Sequence, residues 1–424
     1  MADNHTTSQA RLSFIHKLLH EHLNTKATQI LPIQYDPQSP FQYNNFIYHI
    51  TLASPPENGP PQQPGTTPLP SNTKALIVRL TNPHASGMHP HTRVENEVAM
   101  LTLAAAALAH FTPRIVPAVY GWGTASGSAQ GWIMQELMPG SPLDESFGGM
   151  GAVEREGVLG QVAAILGALQ GFRVPESIRG HGGVTFDGAG QIVSSSMASV
   201  GGGPWPSYEA YFKDRLRRAL EEADGNRYIK GWRANGVRGR LEGFVERGVA
   251  VQFEGLESRD EKVIVHADFT PSNMLYDAST QRITALLDYD FACVLHPSYE
   301  FLRSFGGAGG QLEGWSDAES SEQAALRDAK LHGFPSPLPE NVEGGVQWDV
   351  AAAWEKELEK INVKRPRTMR GIDRVADVDA VLGFILPWRI TNSDVLQLQS
   401  EEVILKCREE NEVQLVKLLD HMRF

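Results

Sequence analysis

The sequence predicts a mixed α+β fold in two lobes: a small antiparallel β lobe carrying one helix, then a larger, mainly helical lobe. Three observations carry that expectation. Between residues 45 and 138, short runs rich in Ile, Val, Tyr and Trp alternate with a single long helical run. After "PGSPL" (139–143) the pattern turns helical. The main strand-rich patch of the second half, "VIVHADFTPSNMLYDASTQRITALLDYDFA" (263–292), concentrates His266, Asp268, Asn273, Asp288 and Asp290. Carboxylates at such density among strand residues are costly unless paired or bound to metal.

The elements follow in order. Leu12, Ile15, Leu18, Leu19 and Leu23 recur at helical spacing, so residues 1–34 read as a helical extension. "NFIYHITLA" (45–53) and "ALIVRLT" (75–81) read as strands. "SPPENGPPQQPGTTPLPSNT" (54–73) lies between them, and its Pro and Gly density predicts a mobile surface loop that packs no core. "RVENEVAMLTLAAAALAHF" (93–111) is a helix, and "RIVPAVYGWG" and "GWIMQELM" form a strand pair. These segments place a first lobe at 35–138 and a second at 139–424. In the second lobe "GHGGVTFDGAGQIVSSSMASVGGGPW" (180–205) reads as an irregular excursion with a short hairpin.

Composition narrows the class. With 424 residues, 41% hydrophobic and 21% charged, the chain is long enough for two lobes and reads as globular. A net charge of −12 argues against nucleic-acid binding, which favours a basic stripe. Cys293 and Cys407 are the only cysteines, so no disulfide framework or CxxC zinc pair is expected. No signal-peptide core or membrane span is legible, and a cytoplasmic location is expected.

The polar patch has the parts for phosphoryl transfer. Pro271 and Ser272 favour a loop between Asp268 and Asn273. "NMLYD" and "ITALLD", joined by "DASTQ", form a hairpin that returns Asp288 toward Asn273. Asp268 is then placed to orient or deprotonate a hydroxyl, while Asn273 and Asp288 can share Mg²⁺, which prefers hard oxygen ligands. Positioning and charge neutralisation carry most of such a reaction.

"HADFTPSN" fits the loop pattern H-x-D-x-x-x-x-N, and "LLDYDF" sits where kinases place a metal-binding aspartate. The chain resembles aminoglycoside phosphotransferases and choline-kinase-like enzymes of the protein-kinase-like superfamily over about residues 35–395, sharply near 264–305. Those families carry H-G-D-x-x-x-x-N followed by I/L-D-x-D/E. No A-P-E follows Asp288, which separates the chain from protein kinases.

The resemblance implies a two-lobed kinase-like fold and transfer of the γ-phosphate of ATP, with Mg²⁺, to a small-molecule hydroxyl acceptor. Asp268 matches the catalytic base and His266 the loop histidine, a brace rather than a proton carrier. Asn273 and Asp288 match the metal ligands, and Asp290 either assists the metal or holds the loop. Arg79 stands where a lysine usually meets the ATP phosphates, paired with Glu97, although the two cations are not interchangeable. "SPFQYNNFIYHI" (39–50) fills the phosphate-loop slot without a glycine, offering Ser39, Asn44 and Asn45. In "MQELMPGSPL" backbone groups of Glu136 and Met138 would meet the adenine edge, with Ile77 and Met134 as walls.

"HPSYEFLRSF" (296–305) reads as a helix start with Glu300 in its first turn, and Glu300 or Arg303 is alternatively a substrate contact. Neither nucleic acid nor membrane is an expected partner, and oligomeric state stays open. A catalytically weak or dead kinase-like protein, acting as a nucleotide-binding or interaction module, is the alternative that Arg79 and the glycine-free loop leave standing. A two-metal hydrolase would need further His or carboxylate ligands, for which His181 and His296 have no convincing spacing.

Overall fold

The computed structural model describes residues 4–36, 39, 41–85, 87–125, 130–316 and 321–424. Its contacts divide the chain into two compact units, one of residues 1–154, 171–204 and 271–294, the other of 155–170, 205–270 and 295–424.

The first unit is built on strands β1 (Ala27–Ile33), β2 (Asn45–Leu52), β3 (Ala75–Thr81), β4 (Val119–Gly123) and β5 (Trp132–Gln135). They form one antiparallel sheet in the order β1-β2-β3-β5-β4. β2 alternates buried and half-buried residues, the period of a strand with one face on a core. Helix α1 (Ser8–Leu23) covers that face: Ile15, Leu18, Leu19 and Leu23 pack with Tyr48, Ile50, Leu76, Val78 and Met134. Leu19 is fully buried, and its truncation to alanine costs about 2–5 kcal/mol. Arg11 lies across this core, its Nε donating to the Tyr48 hydroxyl at 2.8 Å and its guanidinium 3.6 Å from the Phe46 ring centroid.

Two readings of this region need correction. Residues 27–33, placed in a helical extension, form the edge strand β1, hydrogen-bonded to β2. β1 has no alternating burial and contains Pro32, which only an edge strand accommodates. Segment 54–73, expected to pack no core, packs against the sheet. Thr67 N–H donates to the Val119 carbonyl at 2.8 Å and Trp122 Nε1 to the Pro64 carbonyl at 3.0 Å. Leu69 joins the α1 core. At Gly65 (φ +75°) an added Cβ would lie 2.7 Å from Val98, so glycine alone fits this approach.

Helix α2 (Pro90–Ala107) follows β3, and β6 (Ser141–Pro142) and the short helix α3 (Asp144–Phe147) follow β5. The glycine-rich excursion contains a hairpin, β7 (Gly183–Phe186) and β8 (Ile192–Ser195). Asn96 of α2 anchors it, accepting from Val184 N–H at 2.9 Å and donating to the Ala292 carbonyl at 3.1 Å.

The second unit is mainly helical: most of α4 (Ala152–Gly171), then α5 (Tyr208–Gly225), α6 (Val237–Gly243), α7 (Val249–Phe253), α8 (Ser298–Arg303), α9 (Glu322–His332), α10 (Trp348–Lys360), α11 (Ile372–Ile385) and a closing helix, Glu401–His421. α11 packs against α5, α7, α8 and the closing helix. Buried Trp232 donates its indole N–H to the Ile385 carbonyl at 2.9 Å. Among the described residues no helix is long and apolar enough to cross a membrane.

Candidate active site

The hairpin of the polar patch forms as expected, Met274–Asp277 against Arg282–Leu286, with Met274 opposite Leu286. The Leu287 N–H donates to the Asn273 carbonyl at 2.8 Å, which brings Asp288 beside Asn273. Both line a cavity of about 210 Å³ in the first unit with Arg79, Ile77, Gln135, Glu136 and Met138. Asp288 sits at φ +62°, a left-handed conformation that costs a non-glycine residue on the order of 1–2 kcal/mol. Strain of this kind persists only where surrounding contacts hold it, and it clusters at functional sites.

Arg79 supplies the holding contact. Its Nη2 lies 2.9 Å from Asp288 and its Nη1 2.7 Å from Glu97 of α2. One planar guanidinium thus spans two carboxylates, which a lysine ammonium cannot do in the same way. Burial drives the Glu97 carboxyl up, against the pull of Arg79, and the nearby Asp290 and Asp288 push it further.

Asp290 is fully committed. Its carboxylate takes Arg93 Nε at 3.0 Å and Nη2 at 2.6 Å, and also the Asn45 amide at 2.6 Å. The two guanidiniums and the amide hold the Asp290 carboxyl below its usual range, although burial opposes them. Of its two sequence readings, bracing is the one these contacts support. Asn45 is turned into the same brace, since Arg93 Nη2 donates to its carbonyl oxygen at 3.1 Å. Arg93 was not singled out in the sequence. It lies four residues before Glu97, hence on the same helix face, and that spacing was the available signal.

The connector differs in one respect. Ile77 lines the cavity, but Met134 lies on the opposite sheet face, packed with Val78 against α1. Gln135 takes the expected wall position, as the two-residue period of β5 requires. The Glu136 N–H donates to the Ala118 carbonyl at 2.8 Å, and its carboxylate binds Arg114 and the Ala118 N–H. Of the phosphate-loop residues, Pro40 lies outside those described. From that segment the Tyr43 hydroxyl donates to the Asp36 carbonyl at 2.9 Å.

In the second unit, Asp268 follows Ala267, which sits at φ +62°, the conformation that makes glycine the common residue at this loop position. Glu300 of α8 clamps the loop. Its two oxygens accept the His266 N–H at 2.7 Å and the Ala267 N–H at 2.9 Å, and the Ser304 hydroxyl donates to it at 2.6 Å. Burial raises the Glu300 carboxyl to about 7; these hydrogen bonds pull the other way and nearby Asp268 adds to the rise. His266 is fully buried, with its ring edge-on to Phe269. The sequence presents Glu300 as a helix-dipole residue or a substrate contact. The loop contacts assign it a third role, signalled by a charge inside the apolar run "SYEFL".

The profile of the phosphotransferase enzyme family (APH) matches residues 70–344, well over half of the chain. The chain belongs to this phosphotransferase family. Its α+β architecture joins a five-stranded antiparallel sheet to a mainly helical second unit, and the family's activity is phosphotransfer. Among solved structures, a putative aminoglycoside phosphotransferase from Ralstonia eutropha is 12% identical, with 97% of this chain and 98% of that one covered at a TM-score of 0.49. Plasmodium vivax ethanolamine kinase is 11% identical, with 98% and 90% covered at 0.47. A streptomycin–ATP complex of the aminoglycoside phosphotransferase APH(2")-IIa is 12% identical, with 93% and 98% covered at 0.47. No curated protein matches this phosphotransferase.

Proposed function

We propose that this phosphotransferase moves the γ-phosphate of ATP to a hydroxyl of a small molecule. The observation that carries the reading is the hairpin register, which puts Asn273 and Asp288 into one cavity with the Arg79 fork. Apolar Ile77, Leu275 and Leu287 line that cavity as walls for a base, Glu136 and Met138 line it where backbone groups would meet the base edge, and Arg79 supplies a cation for phosphate. The amide oxygen of Asn273 and the half-exposed carboxylate of Asp288 form an oxygen-only donor pair that suits Mg²⁺. When bound there, Mg²⁺ would neutralise charge on the phosphates.

In the reaction Asp268 takes the proton of the acceptor hydroxyl as the acceptor oxygen bonds the γ-phosphorus. The bond from phosphorus to the bridging oxygen breaks and ADP leaves. His266 and Glu300 act through the loop backbone and keep Asp268 in place.

The test is Mg²⁺-dependent ATP turnover over a panel of small alcohols, with Asp268→Asn alongside. Asp268→Asn is expected to lower kcat by about 100-fold or more while ATP binding persists. ATP binding without turnover on any acceptor would instead favour the interaction-module reading.

A further inference from the structure

The second unit contains a charged cluster that the proposed chemistry leaves unused. Tyr211 of α5 and Tyr299 of α8 are buried, and their hydroxyls lie 2.8 Å apart, with Tyr211 donating. Arg215, one turn beyond Tyr211, places Nη1 2.8 Å from the Tyr211 hydroxyl and 3.4 Å from that of Tyr299. Arg303 lies over the Tyr299 ring at 5.3 Å and pairs with Asp379 of α11 at 2.6 Å.

The cluster has too many donors and too much positive charge. Among the described residues two guanidiniums face one carboxylate: Arg215 meets the two phenols, and Arg303 pairs with Asp379. Each guanidinium has five N–H donors. Arg303 Nε is buried with no hydrogen-bond partner among the described residues. Tyr299 accepts from both neighbours and still has its own proton to give. A half-buried donor surplus of this kind is costly unless an anion completes it. Arg303 keeps 32% of its side chain exposed and Asp379 18%, so the cluster is reachable.

Its helix links it to the Asp268 loop. Ser304, the residue after Arg303, accepts the Phe269 N–H at 2.9 Å, and Phe305 N–H donates to the Phe269 carbonyl at 3.1 Å. Phe269 directly follows Asp268. The helix that clamps the Asp268 loop through Glu300 therefore also carries Tyr299 and Arg303.

We propose that Arg215, Arg303 and Tyr299 anchor a negatively charged group of the acceptor, so that the substrate class is an anionic alcohol, a hydroxy acid or a phosphorylated polyol, rather than an amine. This rests on the phosphotransfer reading above. Neutral glutamine or phenylalanine at these positions removes a charged or hydroxyl donor, an effect of roughly ten-fold or more in affinity per charged hydrogen bond.

The experiment is calorimetric titration of the full chain, without nucleotide, with glycerate, glycerol 3-phosphate and ethanolamine, followed by ATP turnover with each. One or both anions should bind and ethanolamine should not. Tighter glycerate marks a carboxylate, tighter glycerol 3-phosphate a phosphate. Arg215→Gln and the isosteric Tyr299→Phe should each weaken the anion by about ten-fold with ATP affinity unchanged, while exposed Arg173→Gln changes nothing. The inference is overturned if neither anion binds, if ethanolamine binds more tightly, or if folded Arg215→Gln binds the anion as well as wild type. Anion binding with no ATP turnover would sink the phosphotransfer reading and leave the anion site standing.

Discussion

One charged cluster in each unit carries a surplus, and the two surpluses are opposite in sign. In the first, Arg79 and Arg93 face Glu97, Asp288 and Asp290, one carboxylate in excess. In the second, Arg215 and Arg303 face Asp379, one guanidinium in excess. Each surplus sits with a reachable group: Asp288 keeps 33% of its side chain exposed where Arg93, Glu97 and Asp290 keep 1%. Closed pairs hold the frame, and the open member carries the charge left for a ligand. The first surplus calls for a cation, the second for an anion.

The largest expected effect separates closed from open. Arg93→Met leaves Asp290 buried without its bidentate partner and should cost about 3–5 kcal/mol in a denaturant titration. Arg303→Met leaves Asp379 able to regain water and should cost about 1–2 kcal/mol. Equal losses would dissolve the distinction. Next comes Arg79→Lys, which keeps the charge but cannot span Glu97 and Asp288. ATP turnover should fall by about ten-fold or more, and an unchanged kcat would mean the fork is not needed.

A smaller effect is pH-dependent. Glu300 is raised to about 7, above its unfolded value, so between pH 4.5 and 7 the folded chain holds the extra proton. This group's contribution to stability therefore falls as pH rises through that window. Turnover should do the reverse, since only the ionised carboxylate accepts both loop amides. A kcat profile rising through about pH 7, flattened in Glu300→Gln, is the expected outcome. Smallest is Ala267→Gly, which relieves a left-handed backbone and should raise stability by up to about 1 kcal/mol by thermal unfolding.

Much of the first unit was legible because its signals are local. The hairpin from Asn273 to Asp288 follows from strand runs and a turn, and the Arg79–Glu97 pair from one strand and one helix. What escaped depends on facing. "WIMQ" is apolar without alternation, so its sequence could not say that Gln135, not Met134, meets the cavity. Arg93 looked like an ordinary helix charge until its partner 197 residues away was in view. Glu300 reads as a helix-dipole residue until the backbone of a distant loop needs acceptors. The Arg215 cluster likewise gathers from three separate helices, and no local pattern announces it.

Segment 54–73 has the composition of a linker but is laced to β4 and α2 through Thr67, Pro64 and Gly65. Its amides therefore share the fate of the sheet they border. Deuterium should enter at Thr67 only when that part of the sheet opens, and a protease should find the prolines there no easier to reach than a core strand.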